Sequence, residues 1–531
     1  MSLRRDLRMY GRFVLGLPAF LRWRLTLDEA RAFIRTSLEQ REANFLRLLR
    51  LGVFGNPRSP YRPLLELAGC ELGDIERSMA TRGLDATLRQ LREAGVYFTF
   101  EEYKGRAPVV RGGRVIPVSP EDFDNPHVGR AYEAETGGST GHAGTRVAFD
   151  LETMRAQIPH FLLDRHVNAT LGYPQGIWRG TLPDPTGIGI ILRAVAYEAV
   201  PVRWFTPGSN AARGLDAKNR LAMATIRWGG RLCGVRMPRP EPVPLERAGV
   251  IARWAAAVAR EHGGCVIGTG VSLSVRVCLA AADDGVDLRG VTFKAGGEPY
   301  TAARAAAVRR TGARLVPHYV TVDTGPVALA CAHPVEEGHM HLLTDCLALI
   351  QHPREVLDTG TTVEPFYFTT LRPTAAKILL NVESDDYGIV ERRSCGCEFQ
   401  DLGYTEHLRQ IRSFGKLTGE GVTLVGSDMT RILEEVLPAR LGGGPLDFQL
   451  LEEQDEQGLT RMTVLVSPRV SIDRDQQVVD VMLEALGNTS VAGEIARAYW
   501  QQAGTFRVRR AEPIWTARGK LLPIRRTGRR T

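Results

Sequence analysis

The chain has 531 residues, 44% of them hydrophobic and 24% charged, and carries a formal net charge of +8. That length is too great for one small core, so two or more domains are expected, and the composition is that of a globular protein. No apolar run is long enough to span a bilayer, and the sequence has no internal repeat or low-complexity segment. At the start, Arg4 and Arg5 precede an apolar stretch from Phe13 to Leu21, a pattern that faintly imitates a secretory leader. Gly16 and Pro18 interrupt it, and Arg22-Trp23-Arg24 stands where small residues would be needed, so the segment reads as an N-terminal helix of a cytoplasmic protein. Thr26 and Glu29 have capping-box spacing ahead of Ala30, Phe33 and Ile34, and Phe45, Leu46, Leu48 and Leu49 continue a helical face. The first hundred or so residues therefore read as mostly helical, with loops at Ser59-Pro60 and Arg111-Gly112-Gly113.

Between two strand-like pieces comes a run of Thr136, Gly137, Gly138, Ser139, Thr140 and Gly141, continuing through Gly144, Thr145 and Arg146. Glycines let the backbone approach an anion, and the N–H and hydroxyl groups can donate to its oxygens, which suits a nucleotide phosphate. The Walker A spacing with its lysine is absent. From 246 to 330 the pattern alternates: a helix over 246–262, a strand over 265–268, a helix over 271–282, a strand over 291–294, a helix over 301–310 and a strand over 315–320. Such repetition predicts a parallel sheet with helices on its faces and a ligand beyond the carboxyl ends of its strands, where Ala295 to Pro299 and Tyr319 to Gly325 both fall. Beyond about residue 360 strands and turns dominate. Met429 to Leu437 reads as a helix closed by Pro438. The remainder fits a small α+β domain with strands over 448–452 and 461–467 and a helix over 476–486.

The order of these motifs carries more than any one of them. A Thr-Gly-Gly-Ser-Thr-Gly loop is followed by Gly296-Gly297-Glu298-Pro299, then by Tyr319-Val320-Thr321-Val322-Asp323-Thr324-Gly325, then Asp386, then Gly415-Lys416, and finally Thr516-Ala517-Arg518-Gly519-Lys520. This resembles the adenylate-forming superfamily of acyl-CoA synthetases, adenylation domains and luciferases, and within it the phenylacetate–CoA ligase branch. The resemblance runs from about Arg58 to Lys520. It implies an α/β fold: a large N-terminal domain, residues 1–415, with parallel and mixed sheets flanked by helices, and a small mobile α+β domain, residues 416–531, carrying the catalytic lysine.

The resemblance also implies roles. The loop, with Thr136, Ser139, Thr140 and Thr145 as hydroxyl donors, would hold the ATP phosphates, and Arg146 is the nearby cation where the family usually has lysine. Gly296, Gly297, Glu298 and Pro299 would form the adenine turn and Tyr319 would stack on the base. Asp323 stands where the family has a Mg²⁺-reaching glutamate, one methylene shorter, and Val320 and Val322 replace the family's glycine and hydroxyl residue. Asp386, or its neighbour Asp385, would grip the ribose hydroxyls, Lys416 aligns with the hinge element, and Lys520 would neutralise charge during adenylation. The implied reaction is activation of a small carboxylic acid by ATP to an acyl-adenylate with release of pyrophosphate, then transfer to the thiol of coenzyme A or of a carrier-protein pantetheine. Transfer to an amine, or a non-catalytic nucleotide-binding role, are the other readings. Oligomeric state and the identity of the acid are left open.

Eight cysteines in a long cytosolic chain do not predict a disulfide framework. Cys70, Cys233, Cys265 and Cys278 read as packing residues. Cys331, His341 (or His339), Cys395 and Cys397 make a donor set for a structural, tetrahedral Zn²⁺, with Cys346 in reserve. Some members of the resembled branch carry a similar cluster. The basic balance suits anionic ligands such as ATP or coenzyme A. Without a zinc finger, RNP motif or basic–aromatic stripe, nucleic acid is not expected as a partner.

Overall fold

The computed structural model describes residues 3–135, 146–182, 184–207, 217–297, 300, 302–355, 362–413, 416–419, 422–425, 429, 432–444, 447–454, 460–487, 497–498, 500–514 and 524–526. Its N-terminal part is helical, beginning with α1 (Leu3–Arg22) and α2 (Leu27–Glu39). The predicted capping box starts α2: the Glu29 N–H donates to Thr26 Oγ1 at 3.3 Å and the Thr26 N–H to Glu29 Oε2 at 2.8 Å. Two of the four backbone donors that open a helix are thereby tied.

A twelve-stranded mixed sheet organises the rest. In chain order its strands are β1 (Gln175–Trp178), β2 (Arg203–Thr206), β3 (Pro240–Pro242), β4 (Cys265–Gly270), β5 (Val291–Gly296), β6 (Arg314–Thr321), β7 (Gly325–Ala330), β8 (Met340–Leu342), β9 (Leu347–Gln351), β10 (Pro365–Thr370), β11 (Val382–Arg392) and β12 (Glu406–Ser413). Across the sheet they run β9-β10-β11-β12-β8-β7-β6-β5-β4-β1-β2-β3. Pairings from β6 to β3 are parallel and those from β9 to β6 are antiparallel. The parallel half follows from the alternation in sequence. Helices such as α3 (Leu151–Val167), α4 (Ala217–Leu232), Gly249–His262 and Val271–Asp283 cover it, and β1 and β4 are buried along their whole length, as strands shielded on both faces must be. Its core is built on Trp178, Phe205, Ile267 and Phe293. A second core, with Tyr61, Phe98, Phe123 and Tyr367, joins the antiparallel half to the N-terminal helices.

A smaller sheet follows, formed by β13 (Phe448–Gln454), β14 (Thr460–Val466), β15 (Phe506–Arg510) and β16 (Ile524–Arg526) in the order β15-β14-β13-β16. With α5 (Asp475–Gly487) it encloses its own core of Met429, Leu450, Met462, Val478 and Trp500. The fold is thus α/β, a large mixed sheet flanked by helices with a second small sheet unit, as the sequence predicts. The expected boundary at residue 415 lies outside the described residues. One element differs. Pro438 does not close a helix: a wide helical turn over Ile432–Val436 leads into Leu437–Leu441, with Pro438 in the first turn of that segment. A first-turn N–H has no intrahelical acceptor, so its loss there is harmless.

Candidate functional site

Strands β5 and β6 are parallel neighbours with Lys294 opposite Val316 and Ala295 opposite Pro317, so their carboxyl ends lie side by side. At that end the backbone of Gly296 is pressed against His318. A methyl carbon on Gly296 would stand 2.4 Å from the His318 carbonyl oxygen and 2.7 Å from its ring, so only glycine fits. Gly297 has φ of +86°, in the left-handed region. One residue after His318, the Tyr319 hydroxyl donates to Asp386 Oδ2 at 2.6 Å. Burial, and then the adjacent Asp386 carboxylate, push the Tyr319 phenol well above its ordinary range, which keeps it a donor. Asp386 sits on β11 opposite Ser413 of β12, and its N–H donates to Ser384 Oγ at 3.1 Å. The antiparallel half therefore delivers the carboxylate to the rim built by the parallel half.

Asp323 lies in the hairpin joining β6 to β7. The Thr324 N–H donates to Thr321 Oγ1 at 3.1 Å, and Gly325 takes φ of +77°, which closes the turn. Asp323 Oδ2 is ion-paired with Lys104 at 2.9 Å, while Oδ1 is buried without a hydrogen bond of normal geometry, and the buried Tyr103 phenol lies beside the carboxylate. Burial raises this carboxyl's pKa, but the ammonium groups of Lys104 and Lys377 more than offset it and hold the acid below its usual range. Such an ionised carboxylate oxygen fits a single bond to a cation or to its water shell; Lys104 on the other oxygen precludes a bidentate one.

Of the other predicted residues, Arg146 opens the strand Arg146–Phe149, which pairs with Tyr132–Glu135, and its guanidinium is 3.8 Å from Glu133. The backbone of Lys416 pairs with Val425 in a small hairpin, and its side chain lies outside the described residues. Thr136, Gly137, Gly138, Ser139, Thr140, Gly141, Thr145, Glu298, Pro299 and Lys520 also lie outside them.

Cys331, His341, Cys395 and Cys397 converge, their donor atoms all within 4.8 Å of one another. His341 Nε2 is 3.1 Å from Cys397 Sγ and 3.6 Å from Cys395 Sγ, and the two sulfurs are 3.4 Å apart. His341 Nδ1 faces the Tyr404 carbonyl at 2.8 Å, which places its proton there and leaves Nε2 as the metal-facing nitrogen. The hydrogen bond between Cys331 and Cys397 pulls the Cys397 thiol down and pushes the Cys331 thiol up. Three sulfurs and one imidazole at these spacings fit tetrahedral Zn²⁺.

The sequence reading missed a buried network beside this set. Asp345 accepts from the Tyr404 hydroxyl at 2.8 Å, pairs with Arg372, and lies 3.0 Å from His160 Nε2. Arg372 also donates to Ser37 Oγ and to the Ala156 carbonyl, and Cys346 Sγ is 3.7 Å from His160 Nε2. This is a neutralised structural knot rather than a second metal set, because Arg372 already supplies the cation. Cys346 belongs here and not with the other three sulfurs.

No protein-family model matches the chain, and no curated protein matches it. Among solved structures it is similar to a 2-hydroxyisobutyryl-CoA ligase in complex with its AMP conjugate and CoA, at 12% identity over 95% of this chain and 91% of that one, with a TM-score of 0.49. An amide bond synthetase from Marinactinospora thermotolerans is similar at 15% identity over 90% and 92%, with a TM-score of 0.39. An anthranilate CoA ligase holding anthranoyl-AMP is similar at 11% identity over 82% and 78%, with a TM-score of 0.33.

Proposed function

We propose that this chain activates a small carboxylic acid with ATP. A carboxylate oxygen attacks the α-phosphorus, the bond to the β-phosphate oxygen breaks, and acyl-adenylate and pyrophosphate are formed. The acyl carbon then passes to the thiol of coenzyme A or a carrier-protein pantetheine, with AMP leaving. The observation that carries this reading is the junction at the carboxyl ends of β5 and β6: the glycine backbone pressed against His318, and the Tyr319–Asp386 hydrogen bond at 2.6 Å. Strand ends of a parallel sheet are where nucleotides sit, and this rim offers a flat glycine surface, an aromatic ring and a carboxylate together.

In this reading Gly296, Gly297 and Tyr319 receive the adenine and Asp386 accepts hydrogen bonds from the ribose hydroxyls. The 136–146 loop, with Arg146, receives the phosphates. Asp323 would hold Mg²⁺ through Oδ1; when bound, that ion neutralises phosphate charge. Lys520 supplies a mobile cation to the charge that builds up during attack, and Lys416 marks the hinge that brings it in. Catalysis is positioning plus charge neutralisation, with no covalent enzyme intermediate. Zn²⁺ at Cys331, His341, Cys395 and Cys397 is structural, with four protein donors and no position left for substrate.

ATP–pyrophosphate exchange screened over carboxylic acids tests the assignment. Exchange is expected with at least one acid, and Lys520→Ala is expected to abolish it while ATP binding is kept. Exchange at the wild-type rate in that variant would remove Lys520 from its role. Exchange with neither coenzyme A consumed nor a carrier-protein pantetheine acylated would move the acceptor from a thiol to an amine or another nucleophile.

A further inference from the structure

Helices α1 and α4 pack on each other and on the sheet through one face each. Phe13, Leu17 and Phe20 of α1 meet Met223 and Ile226 of α4 in a shared core. Gly229 lets Leu17 approach closely, and the Tyr10 hydroxyl bonds to Thr225. The opposite face is what the core does not explain. Leu221, Trp228 and Leu232 are spaced by seven and then four residues, which places them on one stripe of α4. They are 58%, 63% and 81% exposed, and Leu15 of the neighbouring α1 is 83% exposed. Scattered apolar residues on a surface need no explanation, but a helical stripe of them does.

The stripe is framed by arginine. Among the α1 side chains described, those of residues 8–22, the exposed positions are Arg8, Arg12, Leu15, Ala19 and Arg22, again one helical face. On α4, Arg220 and Arg231 are exposed and Arg227 is half-buried, and Arg231 stacks on Trp228 at 5.3 Å. Residues 217–232 include no Asp or Glu, and Asp6 is the sole acid in 3–22. Burial first, and then the nearby Arg239 and Arg231, push the Arg227 guanidinium below its ordinary pKa, so these cations repel one another. The surface thus joins an exposed tryptophan and leucines to a ring of cations, the pairing found on helices that lie in a membrane interface. No helix among the described residues is long and apolar enough to cross a membrane.

We propose that the outer face of α1 and α4 docks the protein on an anionic lipid bilayer, with Trp228, Leu221, Leu232 and Leu15 entering the headgroup region and the arginines meeting lipid phosphates. Charge complementarity selects this occupant. A neutral protein surface would leave the mutually repelling arginines unpaired, and nucleic acid would leave the leucines without apolar contact.

Flotation of the full chain with lipid vesicles tests it. Binding is expected to vesicles rich in phosphatidylglycerol, to be weak with phosphatidylcholine alone, and to fall as salt is raised. Trp228→Ser combined with Leu232→Ser should abolish it. Arg220→Gln combined with Arg231→Gln, both exposed, should weaken the partition about 30-fold, at roughly 1 kcal/mol per arginine. Both variants should keep the wild-type melting temperature, since these side chains lie on the outer face. The proposal is overturned if the wild-type chain stays in solution with anionic vesicles, if binding ignores lipid charge, or if both folded variants float as the wild type does. It is also overturned if the wild-type chain self-associates in solution and the Trp228 variant alone separates into monomers.

Discussion

Tyr404 serves two sites at once. Its carbonyl faces the outer nitrogen of His341, and its hydroxyl holds Asp345, whose other contacts are His160 and Arg372. Tyr404→Phe keeps the carbonyl and removes the hydroxyl. It should therefore leave metal content unchanged while costing about 1–3 kcal/mol of stability, because a buried carboxylate loses a donor; metal analysis and urea unfolding check the two halves separately. At this scale the sequence was legible where residue order carried a motif. Gly296, Tyr319 and Asp386 were found that way and lie along one rim. Lys104 was not legible: it meets Asp323 across 219 positions, and nothing around Lys104 in the chain marks it as a partner. Asp345 and Arg372 escaped for the same reason, since a charge satisfied only by tertiary neighbours has no local signature.

Among elements, the parallel half was the most readable part. Helix-period and strand-period segments alternate there, and a strand buried on both faces announces itself as a short apolar run. The antiparallel half was read only as strands and turns, although it contributes Asp386 and all four residues of the Cys/His set. Its register depends on pairings such as Asp386 with Ser413 that no single segment encodes. The Cys/His set illustrates what that register achieves: Cys331 follows β7, His341 lies within β8, and Cys395 and Cys397 lie between β11 and the helix Glu398–Leu402. A metal held there ties three chain segments together. Elemental analysis should find one zinc per chain, and Cys397→Ser should lose it and lower the melting temperature, because binding energy at a structural site is folding energy.

For the molecule as a whole, the buried His160 makes stability depend on pH. Burial is the largest influence and pushes its pKa below the ordinary 6.5, against the opposing pull of Asp345. The unfolded chain then takes up the proton first. The contribution of His160 is complete above that value and is lost as pH falls below it, at up to about 1.4 kcal/mol per pH unit. Urea midpoints at about pH 7.5 and about pH 5.5 should differ in that direction, and His160→Gln should reduce the difference by its own share, with His318 and His407, also shifted down by burial, supplying part of the rest.

The way the large sheet changes character at β6 also bears on how the chain reaches its native state. On one side β6 meets β7 across a tight hairpin, while on the other side Gln175 must find Val266 across most of the intervening crossovers. The hairpin side can zip locally, but the crossover side must wait for long loops to close. Until they do, unsatisfied strand edges stand open to other molecules, so recovery after dilution from denaturant should be slow and aggregation should compete with it at high protein concentration.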